Sequence, residues 1–130
     1  MAIQAVALAS FNQTIFLRTG LGRIYAAGEG VDRDVDEAIS WLISAANLGH
    51  GPAAGQLGFL CAAELRDPPE ATRWFEMAAT AGDDYGLRSL VTMIIQGSAT
   101  LPEDRQMEWL RKAADLGLPA AVQELQRRGK

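Results

Sequence analysis

The chain has 130 residues, 12 basic and 16 acidic side chains, a net charge of −4 and 48% hydrophobic residues, which makes it a single domain, 1–130, and excludes intrinsic disorder. Mean hydropathy is zero and no run of about 18 apolar residues occurs, so a membrane-spanning helix is excluded. The acidic balance argues against nucleic acid, whose phosphates need a cationic face, and the single Cys61 excludes an intramolecular disulfide.

Met1 to Leu17 carries no charge. A secretory signal would need a basic region ahead of a longer apolar core, so residues 1–13 read as part of the folded domain, a helix or an end cap, ahead of a first helix over 14–27. The expected address is the cytoplasm, or the periplasm if an upstream signal has been removed. A second helix, 35–48, follows Asp34-x-x-Glu37, which has the form of a capping box. A third covers 52–64. The fourth, 68–81, starts at Asp67-x-x-Glu70 with Pro68 at the first position, where the missing N–H is harmless. The fifth spans 84–96. Thr100-x-x-Glu103 sits two residues further from Trp109 than the other boxes do from their tryptophans, which predicts an extra partial turn at the start of the sixth helix, 102–116. The last, 119–128, is polar enough to cap the end of the array.

A repeat unites these helices. Trp41, Trp74 and Trp109, all the tryptophans of the chain, occupy one slot of the pattern W-x3-A-A-x2-G, ending at Gly49, Gly82 and Gly117. A period in this range specifies the architecture before any single residue does. Eight residues after each glycine stands a leucine (Leu57, Leu90, Leu125), and four after it a small residue (Ala53, Gly86, Ala121). Leu21 is an earlier copy of the leucine slot. Tryptophan followed by two alanines four and five residues on puts a bulky and two small groups on one helical face, which suits close helix packing. The glycines fit left-handed C′ positions.

On these residues, from Leu21-Gly22-x-x-Tyr25 through Trp41-x-x-x-Ala45-Ala46 to Leu57-Gly58, the chain resembles the Sel-one-like repeat family, over roughly residues 14 to 127. The resemblance implies an all-α fold: a right-handed α-α superhelix, a tetratricopeptide-like solenoid, of about three helix pairs (14–50, 51–83, 84–118) and a capping helix within 119–130. The third unit departs from the pattern, with Val91 in the second glycine slot and Ile94 in the tyrosine slot. Relatives with cysteine-rich repeats bridge each pair by a disulfide, which this chain lacks the partners to do.

The residues that suggest chemistry have simpler readings. Asp32, Asp34 and Asp36 are spaced like the start of a calcium loop, but the sixth and twelfth positions hold Glu37 and Ile43 instead of glycine and a carboxylate. Asp34 is a helix cap and Asp36 a first-turn acid, so no metal site is expected. His50, the only histidine, lies in an inter-repeat turn with no nucleophile motif nearby. Cys61 shares the slot of Tyr25 and Ile94 and reads as a buried filler. The tail Arg127-Arg128-Gly129-Lys130 reads as a solvated terminus. No catalytic residue and no cofactor are expected.

What is left is a surface. The resemblance implies that the leucine-bearing helices line a concave side on which partners dock. Slots that vary while the core slots recur point outward: Arg23, Phe59 and Thr92 two residues after the leucine, Gln56 one before it, Gln96 six after it, with Arg88 and Ile95 close by. Phe59 is the sharpest candidate anchor, with inter-repeat core as its competing role. The expectation is a non-enzymatic module that binds a protein or peptide partner. The family resemblance implies a bacterial adaptor, regulator or immunity protein, itself a monomer or weak homodimer. The alternatives are a hydrolase of the cell-wall or β-lactam type, known among relatives, and a structural dimerisation module.

Overall fold

The computed structural model describes residues 2–129, with side chains from residue 13 onward. Among the described residues it contains helices and no strand: α1 (Ala2–Ala27), α2 (Val35–Asn47), α3 (Gly51–Ala63), α4 (Pro68–Thr80), α5 (Asp84–Gln96), α6 (Glu103–Asp115) and α7 (Pro119–Arg127). Consecutive helices pack on one another, α3 also lies on α5, and α5 on α7. The result is an α-solenoid of helix pairs. No helix among the described residues is long and apolar enough to cross a membrane.

Local chemistry accounts for the helix ends. Asp34, Asp67 and Asp83 accept hydrogen bonds from the N–H groups of Glu37, Glu70 and Gly86 at 3.1, 3.2 and 2.9 Å, satisfying donors that a helix start leaves unpaired. At the other ends Gly49, Gly82 and Gly117 follow the last turns of α2, α4 and α6 with φ of +91°, +88° and +86°. A side chain would be strained at each.

Two expected boundaries move. The first helix begins at Ala2 and runs unbroken to Ala27, twice the length of its neighbours. The expected role of residues 1–13 as an end cap rests on side chains that lie mostly outside the described residues. The sixth helix gains no partial turn. It starts at Glu103, in the same register to its tryptophan as α2 and α4, with Pro102 at the cap position. The Thr100 N–H instead donates to Thr72 Oγ1 of α4 at 3.1 Å, tying the loop to the preceding repeat.

The core is built from the repeat slots. Leu42, Ala45, Leu57, Ala78, Leu90, Leu110, Ala113 and Ala121 are fully buried, and small residues set how closely the helices approach. A methyl added at Gly22 would lie 2.5 Å from Leu42 Cγ, and one at Gly58 2.5 Å from the Phe75 ring. Leu42 and Phe75 each follow a tryptophan, so the two pairs α1–α2 and α3–α4 are locked by the same contact. In the third pair the equivalent glycine is Val91, itself buried. The added volume keeps the helices from closing in the same way, and α5 packs on α6 far less extensively than α3 on α4. Ala99 and Leu101 of the connecting loop pack against the core beside it.

Polar contacts join successive repeats. Trp109 Nε1 donates to Glu76 Oε2 of α4 at 2.8 Å, and Arg105 pairs with the same carboxylate. Arg33 pairs with Glu64 at the end of α3. The basic tail is not a free terminus. Arg127 Nε donates to both oxygens of Glu124, at 2.6 and 3.0 Å, and Arg128, with a side chain only 15% exposed, reaches Glu103 at 3.2 Å on α6. The Arg127 contact stays within α7, and the Arg128 contact ties α7 to α6; Lys130 lies outside the described residues.

Candidate functional site: the face of the odd-numbered helices

The leucine-bearing helices α1, α3 and α5 share one face because each contributes the same slots. Two grooves run across it. The larger, about 560 Å³, lies between α3 and α5, with Phe59, Pro68, Phe75, Tyr85, Arg88, Thr92 and Gln96 among its lining residues. The smaller, about 290 Å³, lies between α1 and α3 and includes Arg23, Arg33, Gln56, Phe59 and Glu64. Phe59 belongs to both, standing on the ridge between them, and is 47% exposed. It is therefore a surface aromatic and not part of the inter-repeat core.

Six of the seven candidate residues, Arg23, Gln56, Phe59, Arg88, Thr92 and Gln96, line these two grooves. Ile95 is exposed on α5 but lines neither. The floor of the larger groove follows from the packing already described: the Phe75 ring fits against the bare backbone of Gly58, and Tyr85 meets its edge at 6.0 Å between ring centroids. Tyr85, Pro68 and Met93 were absent from the sequence-derived set. Tyr85 stands three residues after Gly82, a slot that holds Pro52 and Ala120 in the other units, so the same variability criterion would have found it.

The groove cations differ in how they are held. Arg33 is occupied by Glu64 and by the Ala26 carbonyl, 2.9 Å from its Nε. Arg88 shares Asp84 one turn earlier at 2.8 Å, both side chains being more than half exposed, so that pair is weak. Arg23 is exposed and, among the described residues, has no ion pair.

The other candidates for chemistry sit in structural roles. Burial, then the nearby Arg23 charge, lowers the pKa of His50, against an opposing pull from Asp83; its ring meets Phe16 edge-on at 6.0 Å. Burial, then Glu70 and Asp67, pushes the Cys61 thiol up, away from the thiolate that reactivity needs. Asp34 caps α2, and Asp36 and Glu37 occupy its first turn. Among the described residues no group of three or more His, Cys, Asp or Glu side chains is placed to hold a metal ion.

A second surface lies on α1. Phe16 and Leu17 are 69% and 66% exposed beside a shallow groove shared with Gly20, Leu21 and Ile24.

Comparison with known proteins gives consistent matches. A family model described as Sel1 repeat matches residues 18–50, 56–83 and 107–118. The crystal structure of a Sel1 repeat protein from Oxalobacter formigenes is similar at 28% identity and a TM-score of 0.66, over 98% of this chain and 99% of that one. A protective antigen of uropathogenic Escherichia coli strains, displaying an SLR fold, is similar at 30% identity and a TM-score of 0.71, over 88% of this chain but only 26% of that one. No curated protein matches the sequence.

Proposed function

The chain belongs to the Sel1 repeat family, whose members are generally protein–protein interaction modules, and from that premise we propose that it binds a segment of another protein across the face of α1, α3 and α5. Repeat folds of this kind generally serve as non-catalytic scaffolds. The observation that carries the reading is Phe59, a half-exposed aromatic on the ridge between two grooves that together contain six of the candidate residues. Exposed aromatics seated centrally in a concave surface are the residues that dominate binding energy. Stacked helices present them already ordered, so little conformational entropy is lost on docking. An adaptor or regulator of this type works by holding its partner, and an immunity protein by occluding one.

The test is affinity capture from the native cell with the wild-type chain, Phe59→Ala and Arg88→Glu. Both variants should lose a partner that the wild type retains. If both keep every partner, the odd-helix face is not the docking surface.

Self-association is the second reading, and α1 favours it. Among the described residues, Phe16 and Leu17 are the most exposed large apolar side chains of the odd-numbered helices, and a methyl at neighbouring Gly20 would meet nothing within 4 Å. A projecting ring beside an open notch on one helix is self-complementary under a two-fold axis. Light scattering at high concentration, with Phe16→Glu as the control, decides it: a monomeric wild type removes this reading.

A further inference from the structure

Charge is sorted between the two faces of this solenoid. The even-numbered helices are acidic: α2 carries Asp36 and Glu37 with no cation, α4 carries two carboxylates and one arginine, and α6 carries four carboxylates and three cations. Among the odd-numbered helices none is acidic, and α1 is cationic. From residue 13 onward α1 has Arg18 and Arg23 and no carboxylate, α3 has no charged residue, and α5 and α7 are each balanced. On a chain of net charge −4, the grooved face is the cationic one. Three arginines and a single carboxylate line its two grooves. Of these, Arg23 is unpaired among the described residues, and Arg88 is held only by an exposed surface pair that exchanges at little cost.

Between these two cations lies an apolar step. Arg23, Phe59 and Thr92 occupy one slot of α1, α3 and α5, and Arg88 precedes Thr92 by one helical turn. Helices packed side by side are about 8–10 Å apart, and an extended chain advances about 3.3 Å per residue. A peptide crossing from α3 to α5, which pack on one another, therefore meets the next slot after about three residues.

We infer that the occupant of this face is an acidic peptide segment built around one apolar anchor, with a carboxylate about three residues from it on the α5 side and another flanking it on the α1 side. The anchor rests on Phe59 between the grooves, and the carboxylates meet Arg23 and Arg88. Basic or uncharged segments with the same anchor bind less well, because the field over the grooves is positive and the acidic faces lie behind it. This inference rests on the odd-helix face being the docking surface, and the experiment separates the two.

A random dodecapeptide library displayed on phage is selected on the full chain. The most enriched peptide is then measured by fluorescence anisotropy against the wild type, Phe59→Ala and the double variant Arg23→Glu/Arg88→Glu. All three positions are exposed, and circular dichroism establishes that each variant is folded. The expected pool is acidic with one conserved apolar position. The charge-reversed variant binds its best peptide about tenfold or more weakly, and raising salt from roughly 0.05 to 0.5 M weakens the wild type too. A neutral or basic pool whose binding still falls with Phe59→Ala overturns the acidic assignment and leaves the docking face standing. Selection of no pool, or of one indifferent to Phe59→Ala, overturns both.

Discussion

Where α4 meets α5 a methyl packs against a bare backbone, and the contact makes a sharp test of the packing. Gly86 lies buried in the first turn of α5, where a Cβ would fall 2.4 Å from Cβ of Ala78 on α4, 3.2 Å from the Ala79 nitrogen and 3.3 Å from the Ala78 carbonyl carbon. Carbon atoms rest about 3.5–4.0 Å apart, so Gly86→Ala must drive α4 and α5 apart by more than about 1 Å. Neither methyl can rotate away, since each is fixed to its backbone. Helix propensity alone predicts the opposite sign, a gain of up to about 1 kcal/mol for replacing a helical glycine by alanine. Overpacking a tight core costs about 1–3 kcal/mol and more when backbone must move. The expected net loss is about 1–2 kcal/mol, a fall in the urea midpoint of about 0.5–1 M for a domain of this size.

Moving the methyl across the interface isolates the cause. In Ala78→Gly/Gly86→Ala the 2.4 Å contact disappears and only the two contacts near 3.2–3.3 Å persist, which a shift of a few tenths of an ångström relieves. The double variant should therefore recover most of what Gly86→Ala loses, with a favourable coupling of about 1 kcal/mol or more in the mutant cycle. Equilibrium urea unfolding followed by circular dichroism measures all four corners. A Gly86→Ala chain as stable as the wild type, or a double variant no better than the worse single one, would refute the close approach of α4 and α5.

Gly20 supplies the converse, because a methyl there meets nothing within 4 Å: Gly20→Ala should raise stability by about 0.5–1 kcal/mol in the same assay. Glu76→Ala strands the Trp109 N–H, which is bonded to Glu76 at 2.8 Å on a nearly buried indole. It should cost about 1–3 kcal/mol, with Glu76→Gln, which keeps an acceptor, losing visibly less; equal losses would assign the effect to charge alone. The pKa of His50 is lowered on folding, chiefly by burial and then by Arg23, against Asp83, so the folded chain binds fewer protons there than the unfolded chain. Its contribution to stability is complete above the ordinary histidine range and is lost as pH falls from about 6.5 through the folded value. His50→Gln should flatten the decline in urea midpoint between about pH 7.5 and 5.5, and an unchanged slope would remove His50 as its source.

How much of this architecture the residues disclose in advance depends on the range of the interaction. The tryptophan register, the aspartate caps and the C′ glycines are decided within a few residues of chain, and they place α2 to α7 within a residue or two. Thr100 shows where local reading fails: it has the form of a cap, but its N–H is taken by Thr72, 28 residues away. The extent of α1 is legible in part, since a helix is one of the two readings of the N-terminal segment and nothing between Ala2 and Ala27 interrupts a helix except Gly20 and Gly22, which helices tolerate at a modest cost. The pairing of the tail was legible too, because Glu124 precedes Arg127 and Arg128 at helical spacing. Val91 could be identified as a departure from the glycine slot, but its effect on the third pair is a distance between helices, which no single segment encodes.

The candidate site divides the same way. Slot variability finds the outward arc of α1, α3 and α5, and that arc contains the grooves. It cannot separate Arg88 from Ile95, which sit seven residues apart and hence on one side of α5. Only Arg88 lines a groove, and that depends on which elements pack beside α5. Composition fails in a further way, because a net charge of −4 averages over two faces of opposite sign. In physiological salt the field of a surface charge decays over about 8 Å, so a docking segment senses the groove beneath it and little of the face behind. An acidic protein can thus present a cationic binding surface, and the sign that governs its partner emerges only after the pairing of helices has shown which residues share a face.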